Sequence, residues 1–197
     1  DVVMVGEIRD AETANLAVQA ALTGHLVFST LHTNSAAGVL PRLLDMGIEP
    51  FLIASTVNTI IGQRLVRRVA PKHDAYQSSP LETQTIQSTI GHLLPQSREQ
   101  VVPYAQDLGY KDLPLAGQQS YTLVRGRDTP QSPRGYLGRA GLYEVMDVTE
   151  EIQNLIVKQA TSAEIQRMAV QQGVITMRQD GYLKALSGIT TLEEVNR

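Results

Sequence analysis

The chain has no cysteine, no tryptophan and only two phenylalanines among its 197 residues. The lack of cysteine excludes disulfides and thiolate metal ligands, and it fits a cytosolic setting. The scarcity of large aromatic residues predicts a core built from Leu, Ile, Val and Ala. The longest apolar stretch, residues 50–61, is interrupted by Ser, Thr and Asn and is too short to cross a bilayer. A net charge of −3 gives no electrostatic reason to expect nucleic acid or anionic lipid as the main ligand.

Two short apolar runs near the start of the chain predict buried strands, at residues 2–6 and 25–30. Between them, Asp10 has the character of a helix N-cap and Gly24 that of a helix stop. Polar side chains lie at the C-terminal ends of both runs: Glu7 in the first case, and Ser29, Thr30 and His32 in the second. Polar groups at the carboxyl ends of neighbouring strands are how an open α/β sheet builds a nucleotide site.

The whole chain divides by composition and pattern into four segments. Residues 1–69 alternate strand and helix patterns, which predicts the C-terminal part of an α/β core with a mostly parallel sheet. Residues 70–133 hold seven of the nine prolines and predict an inserted, irregular subdomain. The pattern of residues 134–148 predicts a return strand of the core. The pattern of residues 149–197 predicts a helical subdomain. The predicted helix caps in this last segment are Thr149 and Ser162.

A phosphate-binding loop of the form G-x-x-x-x-G-K-[ST] is missing from the sequence. The chain also begins without methionine, at the edge of a predicted strand. We therefore expect a C-terminal piece of a longer ATPase, cut after its phosphate-binding loop. Such a piece alone is expected not to hydrolyse ATP, because the phosphates would lack their main binding loop.

The polar residues at the two strand ends match what ATP hydrolysis needs. The reaction requires Mg²⁺ held against the phosphates, an oriented water, and donors for the charge that builds on the γ-phosphate. A carboxylate fixed by a strand, such as Glu7, suits the first two requirements. Ser29, Thr30 and His32 suit the third. Each feature taken alone also has a simpler explanation, since many strands end in a carboxylate and strand-end hydroxyls often cap the next helix.

Taken together, the motifs resemble one family closely. Residues 1–13 (DVVMVGEIRDAET) resemble the Walker B signature of the type II/type IV secretion ATPases, and residues 23–36 (TGHLVFSTLHTNSA) resemble their His box. Further blocks that are similar to that family lie at residues 42–51, 63–67, 138–144, 176–181 and 190–195. The resemblance covers the whole chain except about residues 71–133. Its nearest members are the motors of type IV pilus assembly and type II secretion.

The resemblance implies a partial RecA-like P-loop ATPase core and a homohexameric ring that uses ATP and Mg²⁺. It implies a cytoplasmic protein, peripheral to the inner membrane, which acts on a membrane platform protein and not on nucleic acid. Glu7 would be the Walker B acid, and His32 with Ser29 and Thr30 would sense the γ-phosphate. Arg9 would hold the Walker B loop by ion pairing, although an exposed arginine at a strand–helix junction is commoner. His25 begins its strand, so a structural role is as well supported as a functional one.

One departure from the family concerns zinc. Assembly-type members usually carry two C-x-x-C pairs in the inserted subdomain, whereas this sequence reads APKH at residues 70–73 and DTPQ at residues 128–131. One histidine and one aspartate cannot make the closed tetrahedral site that structural zinc needs. We therefore expect an insertion that has kept its place and lost its metal.

Several related functions are compatible with these sequence features. A retraction, DNA-uptake or conjugation motor of the same superfamily would share the same chemistry, but retraction motors usually lack an insertion like residues 71–133. A ring subunit that binds nucleotide without hydrolysing it is a different class. The presence of both Glu7 and His32 counts against that class, because a non-hydrolysing subunit would not need them.

Overall fold

The computed structural model describes residues 1–197, with helices and short sheets in alternation. The strands are β1 (Val2–Val5), β2 (Leu26–Ser29), β3 (Thr59–Val69), β4 (His73–Gln77), β5 (Thr122–Gly126) and β6 (Tyr136–Asp147). The helices are α1 (Ala11–Leu22), α2 (Val39–Asp45), α3 (Pro50–Thr56), α4 (Pro80–Ile90), α5 (Arg98–Asp107), α6 (Glu150–Val157), α7 (Ser162–Gln171), α8 (Met177–Leu186) and α9 (Leu192–Val195). None of them has the length and apolar character that crossing a bilayer requires.

The chain forms two compact units. The first comprises residues 1–62 and 144–176, and the second comprises residues 63–143 and 177–197. This division differs from the predicted segments, because α6 and α7 belong to the first unit whereas α8 and α9 belong to the second. Composition suggested a single helical subdomain after residue 149, but composition does not report which core a helix face meets.

In the first unit, β1 and β2 pair in parallel, with Val2 opposite Leu26 and Val5 opposite Ser29. The connection between them is α1, so the two carboxyl ends lie at the same edge of the sheet. Asp10 caps α1 by accepting a hydrogen bond from the Thr13 backbone N–H at 2.8 Å, as its sequence position predicts. The pair thereby fixes the two points at which the polar side chains leave the sheet.

The core of the first unit is aliphatic, as expected. Helix α1 buries its alanine face, and α3 packs against both α1 and α6. Fully buried members of this core are Ala14, Ala37, Leu40, Ile53, Ile152, Ile156 and Ala169. Helix α7 begins after Thr161, which closes a capping box with Glu164, so the cap lies one residue before the predicted Ser162.

The two long strands β3 and β6 pair with each other. They run antiparallel, because the Val148 N–H bonds to the Asn58 carbonyl at 2.8 Å and the Ala70 N–H bonds to the Gly135 carbonyl at 2.9 Å. The α/β class is confirmed. Parallel pairing occurs in β1 and β2, whereas the β3–β6 and β4–β5 pairs are antiparallel.

In the second unit, residues 71–133 are more regular than the sequence predicts. They hold an antiparallel pair, β4 with β5, and the helices α4 and α5. Proline is compatible with this regular structure, since Pro80 is the first residue of α4 and Pro103 lies inside α5. A second core combines aliphatic residues with buried tyrosines, which the scarcity of Phe and Trp did not predict, and it includes Ile86, Ile90, Leu94, Tyr121, Tyr182 and Leu183.

Two backbone segments of the second unit lie in direct contact. Gly126 ends β5, and Gly135 lies just before β6 with φ of +79°. A Cβ atom added to either glycine would overlap the backbone of the other. The approach therefore requires glycine at both positions.

Candidate functional site

Glu7 and His32 meet at the carboxyl edge of the β1–β2 pair. Glu7 follows Gly6 just after β1, and His32 lies three residues beyond β2. The Glu7 Oε1 atom is 2.7 Å from His32 Nε2. The sequence places these residues 25 positions apart, and the parallel register brings them together.

Arg9 engages the other oxygen of the same carboxylate. Its Nε donates to Glu7 Oε2 at 2.6 Å, and its second guanidinium nitrogen lies 2.5 Å from that oxygen. The Glu7 side chain is 22% exposed, against 77% for Arg9 and 88% for His32. The carboxylate is thus recessed, while the two basic side chains face solvent.

The hydrogen bond from Arg9 holds the pKa of Glu7 below its ordinary value, and the charges of Arg9 and His32 act in the same direction. Desolvation opposes this shift but is outweighed. The same pairing raises the pKa of Arg9. Glu7 is therefore ionised at neutral pH, as a ligand of a cation or an acceptor for water must be.

The Ser29 and Thr30 hydroxyls, at the C-terminal end of β2, differ in their hydrogen bonding. Thr30 Oγ donates to the Gly6 carbonyl at 2.7 Å, and the Ile8 N–H donates to the Thr30 carbonyl at 2.9 Å. These bonds extend the β1–β2 pairing into the loop that carries Glu7. The Ser29 hydroxyl is buried and has no hydrogen-bond partner. A buried hydroxyl without a partner is costly, so a group that binds at this edge would gain by satisfying it.

His25 lies at the opposite end of β2 from His32. Its Nδ1 is 3.2 Å from both the Thr23 hydroxyl and the Ala20 carbonyl, at the C-terminus of α1. The structure therefore brings Glu7, Arg9, Thr30 and His32 together, and it leaves His25 apart from them.

The residues at this edge fit a magnesium nucleotide. No cluster of three or more His, Cys, Asp or Glu side chains that could hold a metal ion exists in the chain. Mg²⁺ does not need such a cluster, because it usually binds one or two carboxylates and takes its other ligands from phosphates and water. One ionised carboxylate, with an unpartnered Ser29 hydroxyl at the end of the neighbouring strand, is compatible with that mode of binding.

The sequence profile described as "Type II/IV secretion system protein" matches residues 1–197. The chain belongs to this family. The resemblance in the motifs is thus confirmed, and the match also covers residues 71–133, which the motifs left out.

Individual relatives of the family agree. The chain is 41% identical over 198 residues to "Type II secretion system protein E" of Xanthomonas campestris, covering 100% of this chain and 31% of that protein. It is 43% identical over 197 residues to "Type IV pilus assembly ATPase PilB" of Pseudomonas aeruginosa, again covering 100% of this chain and 31% of the relative. The chain thus spans about a third of the length of these relatives.

Solved structures support the fold. The Legionella pneumophila ATPase DotB matches with a TM-score of 0.56 at 22% identity, covering 99% of this chain and 37% of that one. The Yersinia pseudotuberculosis ATPase DotB matches with a TM-score of 0.58 at 17% identity, covering 100% and 36%. At these identities the likeness establishes a shared secretion-ATPase fold.

One contact at the site of this secretion-family chain was not predicted from sequence. The Thr30 hydroxyl donates to the Gly6 carbonyl, and no local pattern signals this bond, because the two residues are 24 positions apart. Ion pairing by Arg9 was predicted, and the structure shows that its partner is Glu7.

Arg9→Gln is expected to raise the pKa of Glu7 towards its ordinary value of 4.5, because the main cause of the lowering is removed. In the parent chain the pairing stabilises the fold above that ordinary value and is lost as the pH falls through the lowered pKa. A carboxyl ¹³C NMR titration measures the shift. Arg42→Gln, on exposed α2 surface, is the control and should leave the Glu7 titration unchanged.

Proposed function

We propose that the chain is the C-terminal part of a hexameric motor that hydrolyses ATP to power type IV pilus assembly or type II protein secretion. The names of the relatives support both the ATPase activity and the two processes. In this proposal the full-length protein is cytoplasmic and peripheral to the inner membrane. Its partners are other copies of itself and the membrane platform protein of the machine, with no role for nucleic acid.

The contact between Glu7 and His32 is the observation that carries the proposal. An ionised, recessed carboxylate at the end of a parallel strand can accept a hydrogen bond from a water and orient it. The imidazole beside it is exposed and free to turn towards a phosphate. Together they bring a water-orienting group and a phosphate-sensing group within one hydrogen-bond length of each other.

The remaining residues receive supporting roles. Mg²⁺, when bound, would neutralise charge that develops on the phosphates. Glu7 would hold a magnesium-bound water, and the Ser29 hydroxyl would donate to a phosphate or a bound water. Thr30 would hold the loop that carries Glu7 in place through its bond to the Gly6 carbonyl, and Arg9 would orient the Glu7 carboxylate. His25, at the far end of β2, would support α1 and would act on nucleotide only through that packing.

Related motors are the nearest alternatives. A retraction, DNA-uptake or conjugation motor would use the same edge of the β1–β2 sheet. The ordered second unit, with β4, α4, α5 and β5, favours the assembly and secretion branch, since its sequence matches those relatives over the whole chain. Genes for pilins, a prepilin peptidase and a polytopic platform protein beside this gene would separate these cases.

Zinc is expected to be absent from the second unit of the purified full-length protein. The segments that would carry the cysteine pairs are joined instead by a backbone bond from Arg127 to Lys72 at 2.9 Å and by an Arg127–Asp74 ion pair. Metal analysis by plasma mass spectrometry tests this expectation. One equivalent of tightly held zinc would contradict it.

ATP hydrolysis by the full-length protein, with and without Mg²⁺, is the direct test. His32→Ala is expected to reduce the coupling of hydrolysis to piliation or secretion by about tenfold, in the range typical of a coupling between two sites. The measurement is pilus or secreted-protein output per ATP hydrolysed. His92→Ala removes an exposed histidine from the second unit and should change neither quantity. Normal coupling in His32→Ala would remove the sensing role of His32. If the parent protein does not hydrolyse ATP, the proposed function is overturned.

A further inference from the structure

Glu144 is a buried carboxylate that the candidate site does not use. Its residue is 4% exposed, and it lies at an inward-facing position of β6 between Leu142 and Met146, which are both buried. An acid at an apolar position of a strand is unfavourable unless other groups satisfy it. Its presence there therefore requires partners that gain from a carboxylate.

Two groups that bond to the Glu144 carboxylate lie in the first unit. Its Oε1 accepts a hydrogen bond from the backbone N–H of Ala36 at 3.2 Å, and its Oε2 lies 3.5 Å from the Gln166 side-chain nitrogen on α7. Ala36 and Ala37 are 1% and 0% exposed. The Ala36 N–H is thus closed off from water and depends on an acceptor supplied by the protein.

Ala36 belongs to a tight turn that continues directly from His32. The Thr33 hydroxyl donates to the Ser35 carbonyl at 2.9 Å. The Gly38 N–H approaches both the carbonyl and the hydroxyl of Ser35 at 3.2 Å. The five residues from His32 to Ala36 therefore have little freedom once the turn is fixed. The carboxylate of Glu144 anchors this turn from a strand that is 108 positions away in sequence.

We propose that Glu144 is a positioning residue that fixes the His32 loop at the edge of the β1–β2 sheet. It acts by holding the Ala36 end of the loop. The proposal rests on the proposed function insofar as it predicts an effect on ATP turnover. The anchoring itself is a separate claim that can be measured without nucleotide.

Two substitutions at Glu144 distinguish the effect of losing the acceptor oxygen from the effect of losing the negative charge. Glu144→Leu removes the acceptor and leaves the Ala36 N–H unsatisfied. Glu144→Gln keeps an oxygen for Ala36, and its new N–H group can donate to Gln166 Oε1, which is buried without a partner in the parent chain. The glutamine variant should therefore restore most of what the leucine variant loses.

Hydrogen exchange of the full-length protein, read by mass spectrometry, measures the anchoring. In Glu144→Leu, peptides covering residues 33–38 should exchange at least about tenfold faster, because a bond to a charged acceptor is lost. Peptides from α1 should be unchanged. Met146→Ala controls for general loosening, since Met146 is 1% exposed on the same strand and does not bond to the turn. Glu150→Leu, at the exposed start of α6, controls for loss of a carboxylate.

Steady-state kinetics measure the consequence for the reaction. Glu144→Leu should lower kcat about tenfold or more with the KM for ATP changed less than about threefold, as expected when an interaction acts mainly in the transition state. Glu144→Gln should keep at least about half of kcat. Unchanged exchange at residues 33–38 in the leucine variant would overturn the anchoring, as would equal acceleration in Met146→Ala. If the parent protein does not hydrolyse ATP, the proposed function fails, and the exchange comparison still decides the anchoring.

Discussion

Glu7→Gln in the full-length protein is expected to lower ATP turnover by at least about 100-fold, the usual scale for loss of a general base or water-orienting group. ATP affinity should change less than about threefold, because the amide fills the same space and the phosphates keep their other contacts. The amide cannot carry the negative charge that attracts a hydrated cation, nor accept a proton from water. Turnover is measured by phosphate release and affinity by equilibrium binding of a labelled nucleotide.

Glu12→Gln is the matched control for this substitution. Glu12 is an exposed glutamate in the first turn of α1, five residues from Glu7 and outside the candidate site. Its loss removes the same charge and should leave turnover within about twofold, since surface substitutions away from a site usually change free energies by no more than about 0.5 kcal/mol. Hydrolysis at the parent rate in Glu7→Gln would remove Glu7 from its assigned role.

Gly126→Ala is expected to destabilise the second unit by about 3 kcal/mol or more, at the upper end of overpacking effects. The new methyl group would overlap the Gly135 backbone, and the atoms in the way are peptide atoms with no freedom to rotate aside. Urea unfolding of the 197-residue chain, followed by tyrosine fluorescence, measures the loss. All seven tyrosines lie in residues 63–143 and 177–197, and there is no tryptophan, so the signal reports the second unit alone.

Gly91→Ala provides the control for the glycine substitution. Gly91 has φ of −54°, and a Cβ atom there would meet its nearest neighbour, Gln87 Cβ, at an ordinary 3.9 Å. Its stability should be unchanged or raised by up to about 1 kcal/mol, through the smaller entropy of the unfolded chain. Equal urea midpoints for Gly126→Ala and the parent would show that the two backbones have room to separate.

Local features of the fold were accessible from the sequence. Asp10 caps α1, Thr149 caps α6, and the two apolar runs form the strands that present Glu7 and His32. Each of these depends on residues within a few positions of one another, so periodicity and capping chemistry are enough to predict them. The cap predicted at Ser162 lies one position earlier, at Thr161, which closes the capping box with Glu164.

Long-range features were not accessible in the same way. The contact of Gly126 with Gly135 depends on where a turn folds back, and the bond from Ala36 to Glu144 joins residues 108 positions apart. The regular structure of residues 71–133 differs from the prediction, because a high proline content does not distinguish irregular loops from elements that begin with or contain proline. Pro80 instead begins a helix, where its fixed φ and missing N–H cost little. The division into two units was also missed, because it depends on which core each C-terminal helix covers.

Both oxygens of Glu7 have basic partners, Arg9 on one side and His32 on the other. In the proposed role, a hydrated cation reaching this carboxylate would exchange partners with a guanidinium and an imidazole, and would not meet a bare anion. The Arg9 and His32 side chains would be released from Glu7 as phosphate oxygens arrive to receive them, so arrival of the ligand would be coupled to reorientation of both side chains.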